Sequence, residues 1–351
     1  MKPTTPPRSR SRSASRAEGG PVTIEMVAEA AGVSLSTVSR ILNGTAVVSA
    51  AKKQAVDEAI ASLGFVPNPV ARGLAGGRTL SIGVLTQALD SPFYGAALRG
   101  IEDTLDPIGY SPLFVSGHWS AEAEARCIDV LRSRRVDGII VLTGRLTDQA
   151  LKQCARHLPV VVTGRDLKAP GLYALNFDNV EGARLATQHL TELGHRRIAF
   201  ISGESEHPDS VERLQGYKLA LEAAGIPFDP ALVSPGAYHE VSGLEAVEHL
   251  LAQGQKFTAV FAANDQMAVG ATLALFRRSL RVPEDVSVIG FDDLPSSQYA
   301  IPPLSTVHQP ALELGQLAAQ SMLQMLAGEK PDAVLPPPRL IARESSRRMR
   351  G

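Results

Sequence analysis

The residues in this chain best suited to chemistry form a run of hydroxyl, amide and guanidinium side chains near its start. In Val22–Asn43, VTIEMVAEAAGVSLSTVSRILN, the residues Ser34, Ser36, Thr37, Ser39, Arg40 and Asn43 stand close together. Such groups donate to and accept from base edges and phosphate oxygens. Their frame is helix, glycine turn, helix, with the polar residues at the start of the second helix, where a recognition helix meets the major groove. Catalytic sets are missing by comparison. The sequence contains no Walker loop, no G-x-S-x-G, no H-E-x-x-H and no G-x-G-x-x-G opening an α/β unit. His118, His195 and His207 lack carboxylates at metal spacing, so neither a metal nor a cofactor is expected. His195, in LGHRRIAF, reads as a helix-end cap. Cys127 and Cys154 read as structural thiols of a reducing compartment.

The elements that would position these residues follow from caps and periodicity. Thr23 can cap a helix over 24–31 with Met26, Val27 and Ala30 as its stripe, and Gly32 supplies the turn. Ser34 can cap a second helix from Leu35 to about Leu42. Val38, Ile41 and Leu42 would pack inward, leaving Leu35, Ser36, Ser39 and Arg40 outward. Ser49 can cap a third helix, Ala50–Leu63, which Gly64 ends. Residues 1–78 carry ten Lys/Arg against five acids, and the remaining 25 basic and 31 acidic residues leave the body acidic. A basic head on an acidic body suits a polyanionic partner. Four of the head's charges lie in the Arg/Ser-rich stretch Arg8–Arg16, so residues 1–20 read as a disordered tail. No apolar run reaches the ~18 residues of a membrane span, and the first residues lack a secretory signal. A cytoplasmic protein is expected.

From Leu80 the texture changes to Val/Ile-rich runs alternating with amphipathic segments. Strands are expected over 81–85, 112–115, 138–142, 160–163, 174–177, 197–202, 259–262, 286–290 and 305–308. Helices are expected over 93–105, 121–132, 180–193, 210–224, 241–252 and 265–276. Apolar strands alternating with helices mean parallel sheets covered on both faces. So many strands fit two doubly wound subdomains better than one sheet.

The wording of the head is more specific than its pattern. AGVSxxTVSRxLN, then VSA, then GFVPNPVARGLAGGRTLSIGVL resembles the DNA-binding head of the lactose-repressor/galactose-repressor (LacI/GalR) family. SPFYGAALRGIEDTLDPIGY, RVDGIIVL, HLTELGHRRIAFISG, ERLQGYKLALEAAGI, FAANDQMAVGATLALFRRSLRVPEDVSVIGFDDL and IPPLSTVHQP resemble its regulatory core. The likeness spans about residues 22–346. It implies a homodimeric repressor on palindromic double-stranded operator DNA, with a core like periplasmic sugar-binding proteins and a small effector, a sugar or derivative, held between two subdomains. The implied boundaries are 21–66 for the head, 67–79 for a hinge helix, and 80–346 for the core. One subdomain would comprise 80–175 with 308–337, the other 176–307 with 338–346.

The resemblance also assigns residues. Leu35, Ser36 and Arg40 take base-reading positions, and Ser34, Thr37, Ser39, Asn43, Lys52, Lys53 and Asn68 take backbone or turn positions. Ala71 and Leu74 belong to the minor-groove hinge, with Leu74 as the apolar wedge. Ser91, Phe93, Tyr94, Arg165, Arg213, Tyr238, Asn264 and Asp292 would hold the effector, with the Arg213 fork clasping hydroxyls or a carboxylate. Trp119, the sole tryptophan, is placed either in the cleft or on the surface. Asp265 reads as a helix cap. Gly164 stands where the family often has an aspartate, which leaves the effector class open. A co-repressed regulator with a non-sugar effector and a transporter-type solute-binding protein are the alternatives.

Overall fold

The computed structural model of the chain describes residues 22–42, 48–66, 78–205 and 207–349. The basic tail, Asn43, and the hinge residues Asn68, Ala71 and Leu74 lie outside the described residues. Contacts divide the chain into two units, Met1–Thr79 and Leu80–Gly351.

In the first unit α1 (Ile24–Ala30), α2 (Leu35–Leu42) and α3 (Ala50–Leu63) enclose Val27, Ala28, Val38, Val56 and Ala59. Thr23 and Ser49 stand at N-cap positions, yet neither makes a side-chain cap bond. Ser34 does: its Oγ accepts the Thr37 N–H at 3.3 Å. Its hydroxyl also meets those of Ser36 at 2.9 Å and Thr37 at 2.8 Å. Burial of Val38 fixes the rotation of α2 and leaves Leu35, Ser36 and Arg40 exposed.

The second unit opens with β1 (Ser81–Thr86), α4 (Pro92–Leu105), β2 (Ser111–Ser116), α5 (Ala121–Ser133), β3 (Gly138–Val141), α6 (Asp148–Ala155), β4 (Val160–Thr163) and β5 (Leu172–Leu175). These strands form an all-parallel sheet in the order β2-β1-β3-β4-β5. The two-residue repeat of a strand divides its apolar residues between faces. Ile82, Val84, Ile140 and Val161 share a core with α4, whereas Leu85, Ile139, Val160 and Val162 share another with α5 and α6. That two-sided burial is why the runs read as continuous rather than alternating.

A second parallel sheet, β7-β6-β8-β9, is built from β6 (Ile198–Ser202), β7 (Val233–Pro235), β8 (Ala259–Ala262) and β9 (Ser287–Ile289). It is covered by α7 (Asn179–Glu192), α8 (Pro208–Ala223), α9 (Glu240–Ala252) and α10 (Asp265–Arg277). Then β10 (Thr306–His308) and β11 (Arg339–Ile341) pair antiparallel, Val307 opposite Leu340, and pack on α7. Between them α11 (Ala311–Ala327) returns to the first sheet and lies against α4. The chain thus passes between subdomains three times: after β5, after β10 and after α11.

The sequence places the fifth strand at 174–177, but pairing with β4 runs from Leu172 to Leu175. Phe177 is buried beyond the strand end, which extends the apolar signal past the ladder. Neither β7 nor β11 was expected. Three residues each are too short to show a period, and Pro235 cannot donate to a ladder.

Candidate functional site

Six loops at the carboxyl ends of strands from both sheets converge on one cleft of about 280 Å³. Open α/β sheets bind ligands at such ends. The loop after β1 brings Asp90 and Ser91, followed by Phe93 and Tyr94 of α4, and the loop after β2 brings Trp119. From the other subdomain come His207 and Asp209 after β6, Tyr238 after β7, Asn264 after β8 and Asp292 after β9. Of the residues the sequence assigns to the effector, Ser91, Phe93, Tyr94, Tyr238, Asn264 and Asp292 line this cleft, and Trp119 joins them.

The walls are aromatic. Phe93 meets Tyr94 edge-on at 5.4 Å, Tyr94 lies 6.2 Å from Trp119, and Trp119 lies 4.2 Å from the His207 ring, which is 5.1 Å from Tyr238. The Trp119–His207 pair therefore joins the two subdomains. Arg145 and Glu204, from loops of the two subdomains, add an ion pair at 2.5 Å. His207 is buried, which lowers its basicity and favours the neutral imidazole.

Trp119 owes its direction to an unusual backbone. His118 and Trp119 both take left-handed φ, 50° and 55°. Their loop is held by buried Gln87, whose Oε1 accepts the Trp119 N–H at 2.9 Å while its Nε2 donates to the Thr143 carbonyl. Glu124, 0% exposed, braces the neighbouring loop after β3. Its carboxylate accepts the Arg145 N–H at 2.9 Å on both oxygens and the Leu146 N–H at 2.8 Å.

Tyr238 also has positive φ, 62°, and its buried hydroxyl has no hydrogen-bond partner. Its ring tip lies over Gly203, where a Cβ would sit 2.1 Å from Tyr238 Cζ. Burial raises the pKa of this phenol, as it does for Tyr94, so both remain protonated donors. Ser91 occupies the N-cap of α4 without bonding the helix, leaving its hydroxyl to the cleft. Asn264 is partly committed. Its Oδ1 accepts the Met267 N–H at 2.9 Å as the cap of α10, and its Nδ2 donates to the Tyr238 carbonyl at 3.0 Å.

Two expected ligands do not line the cleft. Arg213 is 3% exposed and faces protein acceptors. Nε donates to Asn179 Oδ1 at 2.9 Å, Nη1 to the Ala263 carbonyl, and Nη2 to Gln309 Oε1 at 3.0 Å. The guanidinium lies 3.8 Å over the Phe291 ring and 3.8 Å from Asp292 Oδ1. It supports the wall from behind, and Asp292, with φ 112°, is the member that reaches the surface of the cleft. Burial pushes the Asp292 carboxyl up, with Arg213 opposing that shift. Arg165 turns away to Asp148 at 3.1 Å and to the Gly144 carbonyl. Gly164 before it has φ 68°, and a Cβ there would lie 2.8 Å from Thr143 Oγ1, so a side chain at this position meets both strain and crowding. Asp90, His207 and Asp209 are lining residues that sequence reasoning missed.

Asp265 does more than begin α10. Its carboxylate accepts from Leu294 N at 2.8 Å, Ser297 Oγ at 2.6 Å and Thr306 Oγ1 at 2.5 Å, fixing the loop that carries Asp292. Burial outweighs these donors and pushes its carboxyl up to about 6 from 3.8. Between those values the folded chain holds a proton that the unfolded chain releases. This group therefore favours folding increasingly as pH falls through 6, and that contribution is lost as pH rises. Relative to Asp265→Asn, the wild-type unfolding free energy should fall by roughly 2 kcal/mol between pH 4 and pH 7. Parallel denaturation profiles across that range would contradict this assignment. His195, read as a cap, is buried between Thr258 Oγ1 at 2.9 Å and the Arg347 carbonyl at 3.1 Å.

In the first unit Lys53 pairs with Asp57 at 3.1 Å, and Lys52 is exposed. Among the described residues no helix is long and apolar enough to cross a membrane, and no three His, Cys, Asp or Glu side chains are grouped as metal ligands.

Comparison with known proteins follows this division. A family described as bacterial regulatory proteins, lacI family, matches residues 23–68, and a periplasmic binding protein-like domain matches residues 187–346. The HTH-type transcriptional regulator CelR of Thermobifida fusca is 38% identical over 322 residues, 89% of this chain and 94% of that protein. The solved complex of transcriptional regulator CelR with cellobiose has a TM-score of 0.69 at 37% identity, covering 93% of this chain and 100% of that one. The lac repressor dimer bound to operator and the anti-inducer ONPF has a TM-score of 0.84 at 33% identity, with the same coverage. With likeness running through both units and nearly the whole length, the chain belongs to the lacI family of bacterial regulatory proteins and is a helix-turn-helix regulator of transcription.

Proposed function

We propose that this regulator acts in the cytoplasm as a homodimeric repressor of a palindromic operator, and that a sugar bound in the cleft of the core sets its operator affinity. The observation that carries this reading is the cleft itself. Aromatic faces suit the apolar faces of a pyranose ring. Asp90, Asp209 and Asp292 accept from ring hydroxyls, and Ser91 and Tyr238 donate to them. Loops from both subdomains contribute, so a bound ligand joins them and shifts the population toward the closed arrangement. The relatives support the same reading, since CelR is seen with cellobiose and lac repressor on its operator.

Because Trp119 is the only tryptophan, its emission reports on the cleft without ambiguity. Titration with cellobiose and related disaccharides should shift that emission saturably and change operator affinity by about 5–150-fold, the usual range of allosteric coupling. Weaker operator binding identifies an inducer and tighter binding a co-repressor. Emission that moves while operator affinity stays constant would remove the switch.

In the head, exposed Leu35, Ser36 and Arg40 are proposed to meet base edges, Leu35 suiting a thymine methyl. Ser36→Ala should change operator preference by roughly 1–3 kcal/mol at each affected base pair. A uniform loss on all sequences, measured against an operator library, would reassign Ser36 to the phosphate backbone.

A further inference from the structure

The charges around the cleft are unevenly committed. Among the described residues no lysine or arginine lines it, whereas Asp90, Asp209 and Asp292 all do. Three arginines of this core face carboxylates of their own: Arg213 with Asp292 at 3.8 Å, Arg145 with Glu204 at 2.5 Å and Arg165 with Asp148 at 3.1 Å. Arg213 lies behind the wall with Asn179, Ala263 and Gln309 on its nitrogens. Of the two lining histidines, His207 is buried against Trp119, and His239 caps α9, its Nδ1 accepting the Ser242 N–H at 3.2 Å. The carboxylates are less occupied. Asp209 accepts one long bond, from Asn179 Nδ2 at 3.4 Å. Asp90 is exposed and makes no hydrogen bond or ion pair among the described residues. Glu212 and Asp178 add further acid behind Asp209, and Glu212 also accepts from Asn179, at 3.1 Å.

A carboxylate only accepts. A ligand that brings its own carboxylate or phosphate to this wall would set acceptor against acceptor in a partly desolvated cleft, where like charges repel strongly. We propose that the cleft is a charge filter that admits neutral or amino sugars and rejects anionic ones, with Asp209 and Asp90 as the residues that set this specificity. The inference rests on the sugar reading above and narrows it: sugar phosphates, aldonates and uronates are excluded as effectors, while an ammonium group is tolerated beside the aromatic faces.

The test uses the full chain and a panel of gluco- and galacto-configured disaccharides, each as the neutral, amino and uronate form. Trp119 emission and calorimetry give affinity, and urea denaturation of the full chain serves as the folding control. The uronate of the best-bound set should bind at least about 100-fold more weakly than its neutral form, and the amino form should bind as tightly or better. Asp209→Asn should narrow the neutral-to-uronate ratio about tenfold. Asp90→Asn, in an exposed loop, should narrow it too, and provides the same readout where the first variant disturbs α8. A uronate that binds as well as its neutral partner overturns the filter and leaves the sugar reading standing. Binding of no form, with the chain folded, overturns the sugar reading and the filter together. Unchanged ratios in both variants would show that these carboxylates do not set the selectivity.

Discussion

Arg213→Ala is expected to cost the core about 3–5 kcal/mol of stability, because it leaves buried partners without their donor. The guanidinium joins α8 to Asn179 at the start of α7, to the Ala263 carbonyl after β8, and to Gln309 after β10, while facing Asp292 and Phe291. Truncation would leave three acceptors unsatisfied and one buried carboxyl beside a void. Ligand response should be lost as well, since the Asp292 loop loses its backing. Operator binding by the head, measured well below the unfolding transition, should stay near wild type. Arg213→Lys should recover only part of the stability, because a single ammonium cannot reach acceptors spread around a planar fork. Urea denaturation of the full chain provides the number. A loss below about 1 kcal/mol for Arg213→Ala would show that the network relaxes and that Arg213 does not hold these loops together.

The second large effect is expected at Glu124. Its carboxylate receives two backbone N–H groups of the loop after β3, and the Cβ positions of Gly117 and Gly144 are filled by Glu124 atoms at 2.4 and 2.7 Å. Glu124→Gln keeps the volume but turns one acceptor into an N–H₂ group facing donors. A buried donor left facing a donor costs roughly 1–3 kcal/mol, and more where a charged group was bonded. We expect about 3 kcal/mol by denaturation, together with weaker sugar binding, because Gln87 ties the Trp119 loop to the same Thr143–Leu146 segment. Polarised emission of Trp119 checks the second part. Unchanged anisotropy in Glu124→Gln would mean that the Trp119 loop is held by Gln87 alone.

The two variants also mark how far the sequence could be read. The parallel sheets were legible because strands buried on both faces are apolar along nearly their whole length, as in Gly138–Val141 and the first three residues of Val160–Thr163. The helix-turn-helix was legible because glycine, cap and stripe recur at fixed offsets. The arginine at 213 could be picked by type and spacing, but not its direction. Its acceptors at Ala263 and Gln309 lie 50 and 96 residues away, and only the assembled fold brings them to the guanidinium. Trp119 depended on two successive left-handed residues that no local pattern announces. His207 and Asp209 were hidden for a related reason. They become part of a site only when a second subdomain brings Trp119 to them.

The triple passage of the chain between subdomains has a consequence for the order in which a growing polypeptide can become a regulator. The head needs nothing beyond its own three helices, so it can fold while the ribosome is still far upstream of the rest. The first subdomain cannot close its core until α11 supplies Leu314, Ala318 and Met322. The second waits longer still. Ser345 takes the Ser305 N–H at 2.7 Å and gives its hydroxyl proton to the Val288 carbonyl at 2.6 Å. A premature stop anywhere between α3 and Ser345 would therefore release a fragment with an intact DNA-reading head and no finished sensor.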